Sequence, residues 1–186
     1  MEKLITYIEK VIPQVPIDVG VISKVFQKEN LAKDTLLLDW GQVCQHYYFI
    51  NKGTLRIFFY EEGEEFTSWI AFEDYFFTEF NSYMTHLPSR YIIVALEDTE
   101  VLKIHEQRMN ELLQNCSWWQ QFFLLNQQQI ILQLMKTIEL FQTQPAKNRY
   151  EALFSFPAFI QKVKQKDLAT MLGMTKYSIS RLKSFK

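Results

Sequence analysis

Along residues 1–30 the apolar positions recur at helical spacing. Leu4, Ile5, Ile8, Val11 and Ile12 mark one face until Pro13 and Pro16 interrupt it. Asp18 is placed to cap a second short helix through Val21, Ile22 and Val25. Over residues 32–104 the pattern changes. Short runs of aromatic and branched residues alternate with turn signals: Leu36-Leu37-Leu38 before Trp40-Gly41, Tyr47-Tyr48-Phe49-Ile50 before Asn51-Lys52-Gly53, and Leu55 to Tyr60 before Glu61-Glu62-Gly63-Glu64. Phe66 to Ile70, Tyr91 to Leu96 and Val101 to Ile104 continue the series. Strands this short and close predict a small antiparallel barrel or sandwich.

Residues 106–113 read as a short helix, and Ser117 as the cap of a long one ending near Gln142. Leu124, Gln127, Ile131, Leu134, Ile138 and Phe141 follow steps of three and four, the seam of a coiled coil with one polar position. Phe122, Leu125, Leu132 and Met135 form a second stripe. Two apolar faces need two partners. The β domain is expected to be one and the same helix of a second subunit the other; burial of both within one chain is the competing reading. Thr143-Gln144-Pro145 reads as a hinge, followed by a helix over 146–154.

Residues 165–183 read as a helix-turn-helix. Leu168, Met171 and Leu172 stripe the first helix, and Ala169 permits close approach of the second. Gly173 ends the first helix in the left-handed conformation, and Thr175 caps the second. Ile179 and Leu182 face inward, which turns Lys176, Tyr177, Ser180, Arg181 and Lys183 outward on a rod that a DNA major groove admits. Arg181 and Lys176 are the candidates for base edges. Tyr177, Ser178 and Ser180 are candidates for bases or phosphates, and Lys164, Lys166 and Lys183 for phosphates. An ordinary helical hairpin is the competing reading.

Charge sharpens this picture. The net charge of −1 divides into −8 over residues 1–146 and +7 over 147–186, where Glu151 and Asp167 are the acids. A basic end module on an acidic body fits a polyanion partner, against the plainer reading of a solvated basic face. Composition adds aromatic residues at 16%, enough for a ring-filled core. The two cysteines, Cys44 and Cys116, suggest neither a disulfide framework nor a cysteine-bound metal. The apolar runs are too short for a membrane helix, and the N-terminus lacks the blocks of a signal peptide, so a cytoplasmic protein with no membrane partner is expected. The absence of a Ser/His/Asp set, Walker loop or metal motif speaks against an enzyme.

The order of these segments resembles the Crp/Fnr superfamily of bacterial transcription regulators. The hairpin Tyr47-Tyr48-Phe49-Ile50-Asn51-Lys52-Gly53-Thr54-Leu55-Arg56-Ile57, the run Ala95-Leu96-Glu97-Asp98-Thr99-Glu100-Val101 and residues 165–181 carry the resemblance. It implies an α+β chain. Residues 1–116 would form an antiparallel β-roll effector domain of jelly-roll type with flanking helices, 117–142 a dimerisation helix, and 146–186 a winged-helix-like helix-turn-helix domain. Many relatives continue into a β-hairpin wing; with the sequence given to Lys186, a short or missing wing and weaker phosphate contacts are expected. The resemblance further implies a homodimer reading a near-palindromic double-stranded DNA site with the 175–184 helix, a small-molecule effector, and RNA polymerase as a further partner. The alternative is a ligand-sensing or protein-interaction module of the same fold that does not bind DNA.

The effector pocket implied by the resemblance comprises Thr78, Glu79, Phe80, Asn81, Ser82, Ser89, Arg90 and Tyr91. Glu79 matches the family's ribose-contacting Glu, but Thr78 replaces the preceding Gly, and Ser89 with Arg90 inverts the family's order of Arg and small residue. A one-residue shift on a strand reverses the face. Two readings therefore stay open, cyclic-nucleotide binding and a pocket filled by its own aromatic side chains. No resident cofactor or metal is expected; iron–sulfur relatives need four cysteines, and His46, His86 and His105 are scattered.

Overall fold

The computed structural model describes residues 1–153 and 157–184; the side chains of Ile160, Lys176, Leu182, Lys183 and Ser184 lie outside the description. The chain runs α1 (Glu2–Val11), α2 (Val19–Val25), β1 (Gln27–Leu31), β2 (Leu36–Leu38), β3 (His46–Lys52), β4 (Leu55–Glu61), β5 (Glu64–Ala71), β6 (Phe76–Phe77), α3 (Phe80–Thr85), β7 (Ile92–Ala95) and β8 (Thr99–His105). It continues through α4 (Glu106–Asn115), α5 (Ser117–Thr143), α6 (Ala146–Leu153), α7 (Pro157–Lys162), α8 (Gln165–Met171) and α9 (Lys176–Ser184).

The strands form two antiparallel sheets with orders β1-β8-β3-β6 and β2-β7-β4-β5. Along β3 the alternation of a strand decides two cores at once. Tyr48 and Ile50 point between the sheets, where they join Leu55, Phe77, Ile93 and Val101. Tyr47 and Phe49 point outward and are covered by α1, α4 and α5 through Leu4, Ile8, Met109, Trp119 and Phe122. All four are buried, so the run is apolar without alternation. Gly53 closes the β3–β4 turn at φ +99°, and a Cβ there would collide with Thr99. The outer side of the second sheet carries the C-terminal module: Ile70 of β5 shares a core with Tyr150, Val163, Leu168, Ala169, Leu172 and Ile179.

Three sequence expectations are corrected. Residues 27–31 form strand β1 rather than part of a helical segment, pairing Gln27 to Leu31 with Lys103 to Thr99. The strand is mostly polar and exposed, so it carries no apolar period; cross-strand pairs Glu29–Lys103 (2.7 Å) and Lys28–Glu100 accompany it. Ser117 is the first residue of α5 rather than its cap; Cys116 holds the cap position without a side-chain bond. The second stripe on α5 does not pack along its length. The β domain buries Trp119, Phe122 and Asn126, whereas Leu132 and Met135 are 58% and 60% exposed, because the helix runs past the roll. The expected helix over 146–154 is described as α6, and Phe154 lies outside the described residues.

Candidate nucleic-acid interface and effector pocket

In the C-terminal module α8 ends at Met171 with Leu172 at the cap position, and Gly173 just beyond adopts φ +65°. The Met174 N–H bonds back to the Ala169 carbonyl at 2.8 Å. Thr175 Oγ1 accepts the Ser178 N–H at 3.2 Å and so caps α9. Ile179 is fully buried against Leu168, Ala169 and Leu172, which fixes the rotation of α9 about its axis. Tyr177 is then 79% exposed, Ser180 and Arg181 are exposed and Ser178 is half-buried. Lys176 and Lys183 lie on the described backbone of α9, but their side chains are outside the description, as is Lys186. Lys164 is exposed. Lys166 approaches Glu65 at 3.6 Å and Lys162 approaches Glu97 at 2.7 Å, so both reach toward the roll.

The first helix of the module is joined to the roll through a polar cluster that sequence reasoning missed. Arg56 of β4 donates from Nε to Thr67 Oγ1 at 3.0 Å and from Nη1 to Glu65 at 2.8 Å. Its Nη2 lies 3.2 Å from Asp167 Oδ1, a contact that makes an ion pair without hydrogen-bond alignment. The Thr67 N–H donates to Thr170 Oγ1 at 3.1 Å. Burial raises the Asp167 carboxyl above its ordinary range, with Arg56 pulling the other way. The hydrogen bond from Arg56 holds Glu65 below its ordinary range. The available signal was an acid inside a basic module and an arginine inside an aromatic strand; nothing local paired them.

The cassette residues are satisfied largely by one another. Glu79 is buried and accepts the Asn81 and Ser82 N–H groups at 3.1 and 2.9 Å, capping α3. Thr78 Oγ1 donates to the His46 carbonyl at 2.8 Å. Ser82 Oγ accepts the Cys44 N–H and donates to the Leu87 carbonyl. Ser89 is buried and accepts the Tyr91 N–H at 2.9 Å, with Tyr91 half-buried beside it. Phe80 and Asn81 are exposed. Arg90 lies on the outer surface, 2.8 Å from Glu61 and 4.4 Å from the Phe59 ring centroid. Beside the cassette, Trp69, Tyr75, Phe77 and Tyr48 form a chain of rings with centroids 6.4, 5.7 and 5.7 Å apart. An anion entering there would meet rings and no guanidinium among the cassette residues.

On α5, Leu124, Ile131, Leu134 and Ile138 are 58%, 55%, 49% and 56% exposed, Phe141 is exposed at 37%, and Gln127 is half-buried. These positions share one stripe of the helix. Among the described residues, no group of three or more His, Cys, Asp or Glu is arranged to hold a metal, and no helix is long and apolar enough to cross a membrane.

Residues 28–116 match the family model of the cyclic nucleotide-binding domain. No curated protein matches the sequence. Among solved structures, a CooA mutant from Carboxydothermus hydrogenoformans is similar at 18% identity and TM-score 0.68, over 93% of this chain and 81% of that one. The Catabolite Activator Protein of Thermus thermophilus aligns at 17% identity and TM-score 0.59, over 96% and 85%. A Eubacterium rectale protein assigned to the crp/fnr family aligns at 16% identity and TM-score 0.70, over 91% and 83%. Residues 28–116 are thus similar to the cyclic nucleotide-binding domain, and the chain shares its overall fold with these solved structures.

Proposed function

We propose that this protein is a cytoplasmic transcription regulator of Crp/Fnr type, a homodimer that reads a near-palindromic DNA site with α9 and whose effector domain responds to something other than a cyclic nucleotide. The observation that carries this reading is the outward face of α9: Tyr177 and Arg181 stand exposed because Ile179 anchors the opposite face. The charge of +7 over residues 147–186 supports the same partner. The exposed stripe Leu124–Ile131–Leu134–Ile138 supports pairing of two α5 helices, which would set two recognition helices one DNA turn apart, about 34 Å. RNA polymerase as a contact of the bound dimer belongs to this reading.

One observation favours the alternative, a sensing or protein-interaction module that does not bind DNA. Lys162 and Lys166 are directed at Glu97 and Glu65 of the roll. Selection of bound fragments from a random duplex pool, followed by anisotropy titration at several salt concentrations, separates the two. A selected two-fold symmetric sequence supports the first reading. Absence of binding at low salt by a folded dimer supports the second.

A further inference from the structure

A cavity of about 460 Å³ lies where the second sheet, α5 and the C-terminal helices meet. Its size falls in the range of small-molecule sites. Strand β5 and the turn after it supply Trp69, Phe72 and Glu73, and α5 supplies Thr137, Leu140 and Phe141. Arg149 of α6 and Phe159 of α7 complete the wall. Phe72 and Phe159 meet edge to face, with ring centroids 4.7 Å apart. The wall is thus aromatic and aliphatic, and the charged side chains among its described residues are Glu73 and Arg149.

Those two charges differ in their partners. Glu73 is already engaged: it accepts from Lys3 Nζ at 2.6 Å and from the Gly53 N–H at 3.2 Å. The Lys3 hydrogen bond holds its carboxyl below the ordinary range. Arg149 is half-buried, and no carboxylate of the described residues pairs with it. Glu151, the acid of α6, turns instead to Lys147 at 3.9 Å. The Arg149 guanidinium lies against Phe141, 4.6 Å from the ring centroid. Its Nε is sealed from water with no partner, whereas its Nη groups stay open and make no hydrogen bond among the described residues. A guanidinium drawn this far from water ordinarily has a counter-ion, and two open Nη donors match the two oxygens of a carboxylate.

We propose that this cavity binds a small aromatic carboxylate, with its ring among Trp69, Phe72, Leu140 and Phe159 and its carboxylate on the Nη groups of Arg149. One guanidinium balances a monoanion; a phosphate dianion would keep an uncompensated charge in the same cavity as Glu73. The site is separate from the cassette, whose polar groups are satisfied largely by one another. It is shared by the roll, the long helix and the C-terminal helices, so a ligand there contacts all three. The inference concerns ligand binding by the chain itself and does not depend on DNA binding.

The test is calorimetric titration of the full chain with 1-naphthoate and with 1-naphthamide, the same ring carrying an uncharged group of similar shape. The expected result is one naphthoate bound per chain, with a dissociation constant about tenfold lower than that of the amide. Arg149→Gln should erase that preference with circular dichroism unchanged, and Arg149→Met should do so if the first variant does not fold. Ala152→Trp, at an exposed lining position, should fill the cavity and abolish binding. Thr137→Trp should do the same from α5. Leu134 and Phe141 line the cavity and also belong to the exposed stripe of α5, so Ile131→Lys is titrated in parallel and should bind naphthoate as the wild-type chain does. The proposal is overturned by absence of binding, by equal affinity for acid and amide, by a preference that survives loss of Arg149, or by unchanged binding in both filled variants. It is also overturned if wild type and a folded Ile131→Lys chain differ in binding, since the seam and not the cavity would then decide occupancy.

Discussion

Arg56 and Asp167 face each other at 3.2 Å where the C-terminal helices meet the roll, with side chains 7% and 3% exposed. They lie on β4 and α8, elements separated in sequence by the remaining strands of the roll and the long helix. Breaking a buried pair strands a charge, whereas replacing both partners with apolar groups can be nearly neutral. Arg56→Met should therefore cost about 3 kcal/mol in denaturant unfolding because it strands the Asp167 carboxyl, whereas Asp167→Ala leaves Arg56 paired with Glu65 and should cost less. Arg56→Met combined with Asp167→Leu should recover most of that loss. Strictly additive effects of the two sites would show that the pair is not coupled.

Acid should unfold the protein through a small set of paired carboxylates. Hydrogen bonds from Arg56, Lys3 and Lys28 hold Glu65, Glu73 and Glu100 below their ordinary range. A depressed carboxylate contributes stability above its unfolded pKa, and that stability is lost as pH falls through the folded value. Asp167 has the opposite sign: its raised carboxyl favours folding at low pH, and this contribution fades as pH rises through the folded value. The melting temperature should thus drop below about pH 4.3. Glu65→Gln should make the drop shallower and Asp167→Asn steeper, measured by thermal melts from neutral to acid. Parallel curves for all three chains would contradict the assignment.

The exposed seam on α5 gives a test of assembly. Ile131→Lys would place a charge from each chain in the apolar interface of a symmetric pair. Light scattering should report a dimer for wild type and a monomer for the variant with unchanged circular dichroism. A folded variant of unaltered mass would remove the seam from the argument.

Recognition and phosphate contacts should separate in titrations with DNA. Arg181→Ala should cost about 1–3 kcal/mol on the selected site and relax preference at one position of each half-site. Lys164→Ala should weaken all sequences alike and lower the salt slope by about one unit. If both substitutions reduce every sequence equally, α9 is a nonspecific basic surface.

The cassette should not hold cyclic AMP. Arg90 is engaged by Glu61 and Phe59 on the outer surface, and Glu79 is engaged as a helix cap. Calorimetry should show no saturable heat; a dissociation constant below about 1 μM would mean that the cassette rearranges.

Much of the architecture was legible in local pattern. The apolar periods of α1 and α5, the short strands and their turns, Gly173 at the left-handed position and Thr175 at the cap all depend on neighbours within a few residues, where sequence spacing and physical spacing coincide. The polar edge strand β1 has no such period, because its stability comes from pairing with β8 and from ions opposite it. The extent of packing on α5 was also hidden: composition marks Phe122 and Leu132 alike, and only the length of the roll beneath the helix decides that one is buried and the other exposed. The same holds for the side chains of chemical interest. Whether Arg90 enters a pocket or lies on Phe59, and whether Asp167 meets solvent or Arg56, are settled by which elements fold against each other over long sequence separations, and no local periodicity encodes those encounters.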